Sequence, residues 1–114
     1  MKNLRNSVSL IGRLGQDPEI FTFDNGTRKA TLRLATDESY KNKEGEKVEH
    51  TEWHSLVVWG NTIKLAEKYL KKGMEICVEG RLTYSQWEDK EGKKHFKTEV
   101  NVNDILMLGK KQAS

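Results

Sequence analysis

The chain has 114 residues, 32% of them charged and 35% hydrophobic, with a formal net charge of +3. That length sets one domain with a modest core and leaves little room for a large enclosed site. The longest apolar runs, Leu56–Trp59 and Ile105–Leu108, are too short for a membrane-spanning helix. The start, Met-Lys-Asn-Leu-Arg-Asn, has no apolar stretch behind it, so no secretory signal is expected. A lone cysteine, Cys77, makes no internal disulfide, and a reducing cytoplasm is the expected address.

Asn6–Leu14 alternates Val8, Leu10 and Gly12 with Ser7, Ser9, Ile11 and Arg13, the period of a strand. Gly12 and Gly15 suggest bends of the kind a strand makes on closing a barrel. Gln16-Asp17-Pro18 is a turn holding the only proline. Glu19–Phe23 is a short strand closed by the hairpin turn Asp24-Asn25-Gly26. Thr27–Thr36 is a second clear strand, with Ala30, Leu32, Leu34 and Thr36 on one face and Lys29, Thr31, Arg33 and Ala35 on the other. The polar run Asp37–His50, whose one aromatic residue is Tyr40, reads as an extended hairpin or a mobile loop.

Thr51–Gly60 organises the rest. One face is Trp53, Ser55, Val57 and Trp59; the other is His54, Leu56 and Val58. Leu56 and Val58 seat the second face in a core. The first then carries two tryptophans about 20 Å apart, at roughly 3.3 Å per residue. They are too distant to stack on each other and are spaced like two separate platforms. A strand buried on both faces is the alternative that this stretch leaves open.

Asn61 and Gly73 bracket an expected helix, Thr62–Lys72, in which Ile63, Ala66, Tyr69 and Leu70 recur at helical spacing. Met74–Trp87 returns to strand, with Ile76, Val78, Gly80, Leu82 and Tyr84 inward and Glu75, Cys77, Glu79, Arg81, Thr83, Ser85 and Trp87 outward. After the charged turn Glu88–Lys94, His95–Val102 places Phe96, Thr98, Val100 and Val102 on one face. Ile105–Leu108 ends the ordered part, and residues 109–114 read as a flexible tail. One helix between the third and fourth of five bent strands is the pattern of an all-β OB-fold, a five-stranded Greek-key barrel, here over residues 1–108. A generic five-stranded barrel with a helical plug shares that pattern.

In an OB-fold the second and third strands and their loops bind single strands. The exposed candidates lie there: Lys29, Arg33, Tyr40, Trp53 and Trp59, with Trp87 at a neighbouring hairpin and Arg13 and Arg28 nearby. Aromatic rings stack on any base, and Lys or Arg attract phosphate in a salt-dependent way. Together they suit sequence-tolerant binding of a flexible single strand.

The chain closely resembles bacterial single-stranded DNA-binding protein. The resemblance rests on Asn6–Leu14 with Gly15-Gln16-Asp17-Pro18-Glu19, Leu34-Ala35-Thr36, Thr51-Glu52-Trp53-His54, Tyr69-Leu70-Lys71-Lys72-Gly73 and Val78-Glu79-Gly80-Arg81-Leu82. It is collinear and covers about residues 4–108. It implies stacking aromatics at Tyr40, Trp53, Trp59 and Trp87, although the best-known pattern has Trp in place of Tyr40 and Phe in place of Trp59. It further implies a homotetramer with DNA wrapped around it and His54 near a subunit interface; no cofactor is expected. The family's acidic, apolar C-terminal tip, which recruits replication proteins, has no match in the basic end Gly109-Lys110-Lys111-Gln112-Ala113-Ser114.

Cys77 lies on the outward face with Glu75, Glu79 and Arg81, and an exposed free thiol is unusual, so another subunit is expected to cover that face. A cysteine nucleophile lacks an evident base here. His50, Glu52 and His54 invite a metal reading, but four residues along a strand separate the histidines by about 13 Å, against ligand distances of about 2 Å. No metal is therefore expected. The function that fits best is non-catalytic coating of single-stranded DNA in replication, recombination and repair. An OB-fold adaptor of a primosome or mobile element, working mainly through protein partners, is the second reading. An enzyme is disfavoured by the lack of a phosphate loop, a zinc quartet or clustered carboxylates beside a basic residue.

Overall fold

The computed structural model describes residues 4–108; the tail expected at 109–114 lies outside them. The elements in chain order are β1 (Val8–Leu14), β2 (Glu19–Thr22), β3 (Arg28–Asp37), β4 (Tyr40–Lys41), β5 (Lys47–Val48), β6 (Thr51–Trp59), α1 (Thr62–Tyr69), β7 (Glu75–Glu88) and β8 (Lys94–Met107). The main sheet runs β1-β7-β8-β6-β3-β2, and an extra β1–β3 pairing closes it. Five strands thus close a ring, with β2 paired to the start of β3 on the same edge that β1 meets at Leu34 and Ala35. All pairings are antiparallel except β6 with β8, where Leu56 meets Val100 and Val58 meets Val102. This closed barrel with one helix between β6 and β7 is the expected OB architecture.

Closure puts the apolar faces of all five strands inside. Leu32, Leu34, Leu56, Val58, Ile76 and Val78 have no exposed surface. Each such side chain stabilises the fold by about 1.5–3 kcal/mol relative to exposure. Ile63, Ala66 and Leu70 of the helical segment complete the core. The segment after α1 is tied back to the start of the barrel. Gly73 N–H donates to Leu14 O at 2.8 Å, Leu14 N–H to Met74 O at 3.0 Å, and Lys72 N–H to Asp17 Oδ1 at 2.8 Å.

Those ties shorten the helix. It stops at Tyr69 rather than Lys72, because Leu70 takes an extended backbone (ψ 137°) and turns its side chain into the core. Tyr69, expected inside, is 49% exposed. Asn61 does not cap: its backbone is already helical and its side chain makes no capping bond. The first turn instead closes through Ile63 N–H to Gly60 O and Lys64 N–H to Asn61 O.

The β7–β8 hairpin outruns the barrel. Leu82, Tyr84 and Phe96 keep the strand alternation but stand in solvent, Tyr84 and Phe96 at 74% and 70% exposure. The two expected segments His95–Val102 and Ile105–Leu108 are one continuous strand, paired with β7 from Ile76 to Glu88. The pairing shifts register between Glu79 and Gly80, and a Cβ at Gly80 would overlap the backbone of Asn101 and Val102. A close approach of this kind admits only glycine and bends the ladder. Asp37–His50 is an extended hairpin: Tyr40 pairs with Val48 and Lys41 with Lys47.

Candidate nucleic-acid interface

The β3–β6 register sets Lys29 opposite Trp59, Arg33 opposite Ser55 and Ala35 opposite Trp53. These residues share the outer face of the barrel. Trp53 is 52% exposed and Trp59 39%, so β6 is not buried on both sides, although Val57 between them is enclosed. Each tryptophan carries a cation. The Arg33 guanidinium carbon lies 5.4 Å from the Trp53 ring centroid, and Lys29 Nζ lies 6.0 Å from that of Trp59. Both are within cation–π reach of about 6 Å. Aromatic surface and positive charge are thereby presented side by side, twice along one strand.

Trp53 lies against bare backbone at Gly15. A Cβ added there would come within 2.8 Å of its Cη2 atom. Gly15 is fixed in turn by its N–H bond to Arg33 O at 2.9 Å. The ring position therefore depends on a residue just after β1, with four strands between it and β6 in the chain.

Sequence reasoning missed two aromatic residues beside Trp59. Phe23 stacks on it with centroids 6.0 Å apart and planes 12° from parallel, and Phe21 meets Phe23 edge-on at 4.7 Å. Lys29 Nζ lies 5.8 Å from the Phe23 centroid. The available signal was alternation: Phe21 and Phe23 share a strand face, but only the β2–β3 register places Phe21 opposite Lys29.

Trp87, 48% exposed, sits on the β7–β8 arm and stacks on His95 at 5.4 Å. By register it lies on the side of Arg81, which pairs with Asn101, itself opposite Val57 of β6. The His95 ring is bonded to Asp89 Oδ2 at 2.9 Å, a contact that holds the Asp89 carboxyl below its ordinary pKa. Tyr40, 57% exposed, stands on the small β4–β5 hairpin. Arg13 donates from Nη1 to Gly73 O at 3.1 Å and shares an open groove with Asp37, Thr51 and Glu75. Arg28 is not brought to the tryptophan face. Its strand register points the other way, and its guanidinium pairs with Glu67 of α1 at 2.7 Å.

Known proteins match this chain over almost its whole length. Residues 5–108 match the Single-strand binding protein family. This chain belongs to that family. The family is one of binding proteins, not enzymes. Single-stranded DNA-binding protein 1 of Xylella fastidiosa is 44% identical over 94% of this chain and 79% of its own length. A Plasmodium falciparum SSB, solved in complex with ssDNA, superposes with a TM-score of 0.83 at 33% identity, covering 96% of this chain and 98% of that one. A deletion mutant of the Thermus aquaticus single-stranded DNA-binding protein superposes with a TM-score of 0.78 at 32% identity, over 91% of this chain and 50% of that one. Among the described residues no helix is long and apolar enough to cross a membrane.

The rest of the outer surface of this family member differs in character. On β7, Glu75, Cys77 and Glu79 are half-buried, and Arg81 is exposed. Cys77 lies between Ile11 of β1 and Leu106 of β8, which are 55% and 62% exposed, so the thiol sits in an apolar patch. His54 is half-buried, and its Nε2 shares a hydrogen bond with Thr36 Oγ1 at 3.0 Å.

The three residues weighed above for a metal are not the set that the fold assembles. Glu38, His50 and Glu52 offer ligand atoms within 4.8 Å of one another, all exposed, and His54 is outside that group. His50 Nε2–H donates to Glu52 Oε2 at 2.7 Å, and this bond, then the Glu52 charge, raises the His50 pKa above 6.5. A raised histidine pKa means the contact supports the hairpin base fully below pH 6.5 and is lost as pH rises through the elevated value. NMR titration should show His50 titrating above an unperturbed histidine, and Glu52→Gln should bring it down. An unchanged midpoint in Glu52→Gln would assign the shift elsewhere.

Proposed function

We propose that this protein binds single-stranded DNA without sequence preference, stacking bases on Trp53 and Trp59 and holding phosphates with Arg33, Lys29 and Arg13. The observation that carries this is the pairing of each exposed tryptophan with a cation on one outer face. Every base has a π-face, so ring stacking tolerates any sequence, while duplex DNA offers no free face. Trp87 on its arm and Tyr40 on its hairpin extend the path on either side. Arg28 is a weaker candidate, since its charge is already matched by Glu67. The name of the Xylella relative, and the ssDNA in the Plasmodium complex, support the same ligand.

The assembly we propose is a homotetramer working in the cytoplasm in DNA replication, recombination and repair. The apolar patch of Ile11, Cys77 and Leu106, rimmed by Glu75, Glu79 and Arg81, is the face that fits a second copy, and the family resemblance implies that His54 lies near a subunit contact. Burying such side chains between copies removes exposed apolar surface from water.

Tryptophan fluorescence during titration with oligothymidylate tests the reading. Strong quenching is expected, with a midpoint that weakens as salt rises because phosphate contacts release counterions. A duplex of equal length should leave the emission unchanged. If micromolar protein showed no quenching by the single strand, the tryptophans would not be its platform.

A further inference from the structure

We propose that Phe21 is a further nucleobase-stacking site, which carries the bound strand off the barrel across β2. The proposal rests on the single-strand reading above and adds a subsite to it. Phe21 is an aromatic residue, 55% exposed, on the outer face of a strand whose one sheet neighbour is β3. It stands directly opposite Lys29, which stands directly opposite Trp59. Neighbouring strands lie about 4.8 Å apart, so ring, ammonium and ring form a row about 10 Å across. That row extends, by one strand, the ring-and-cation pairing seen between β6 and β3.

The packing around Phe21 suits this role. Phe23 lies nearly parallel to the Trp59 ring and occupies the space beside it. Phe21 and Phe23 meet edge to face, with planes at 77°, a contact that covers at most one face of Phe21, and Phe21 remains 55% exposed. Phe21, Lys29, Thr31 and Glu19 line one open groove beside the row. A base laid on Phe21 would leave its phosphate within reach of Lys29, with Glu19 disfavouring a path further along the strand. A large apolar ring kept at an edge strand carries an aggregation cost, and a ligand that covers it in use explains its presence.

The test uses the intact protein and oligothymidylates carrying one 5-iodouracil, which crosslinks on irradiation to an aromatic ring stacked against it. A crosslink to Phe21, located by tandem mass spectrometry of the peptide Leu14–Arg28, is expected. Phe21→Ala should weaken binding about five-fold or more, the low end of one lost stack. Phe21→Tyr should bind like the parent, and Phe21→Leu, which keeps the apolar bulk but loses the π-face, should behave like Phe21→Ala. Parent-like binding by Phe21→Ala or by Phe21→Leu, while Trp53→Ala weakens binding, would overturn the Phe21 subsite and leave the wider reading intact. No binding by the parent protein would overturn both.

Discussion

The double change Trp53→Ala with Trp59→Ala is expected to weaken oligothymidylate binding by about 2–6 kcal/mol, from roughly 1–3 kcal/mol for each stacked base. The two rings lie six positions apart on one strand, far enough for their losses to add within a few tenths of a kcal/mol. Anisotropy of a labelled oligonucleotide, read at fixed salt, measures this. Trp53→Ala alone should show the larger single effect, because Trp53 is the more exposed ring and packs on Gly15 and Arg33 rather than on a second aromatic residue. Trp59→Ala leaves Phe23 and Phe21 nearby, and these retain part of the platform. Parent-like affinity in a folded double variant would place the DNA elsewhere on the surface, with the β7–β8 arm the next region to probe.

What made this site legible was the strict period of β3 and β6. Alternation separated Lys29 and Arg33 from Leu32 and Leu34, and Trp53 and Trp59 from Leu56 and Val58, before any contact was known. The same rule misled on the β7–β8 arm. It says which side Tyr84 and Phe96 occupy, but not that the barrel wall has ended there. That depends on the register shift at Glu79–Gly80 and on how far β7 and β8 pair with each other alone. Contacts distant in sequence were equally hidden. The loss of the last helical turn follows from Leu70 entering the core and Lys72 bonding Asp17. Arg28 shared a neighbourhood with Lys29 in sequence, yet adjacent strand residues face opposite ways, and α1 supplied Glu67 as its partner. Phe21 and Phe23 became visible only when the β2–β3 register set them beside Lys29 and Trp59.

Leu56→Ala is the complementary experiment on the same strand. Leu56 has no exposed surface, and it faces Leu32 of β3 and Val100 of β8, so removing its side chain opens a void at the middle of the barrel. The expected cost is about 2–5 kcal/mol, against a total stability of roughly 5–15 kcal/mol for a domain of this kind. Urea unfolding at one fixed protein concentration should show a lower midpoint at an unchanged slope. The concentration is held fixed because association with further copies would itself add apparent stability. DNA affinity, measured at a temperature where the variant stays folded, should match the parent. Trp53→Ala should give the opposite pair of results: near-parent stability and weakened binding. If Leu56→Ala lost as much affinity as Trp53→Ala while still folded, the two faces of β6 would be mechanically coupled. The core would then set the platform geometry rather than merely support it.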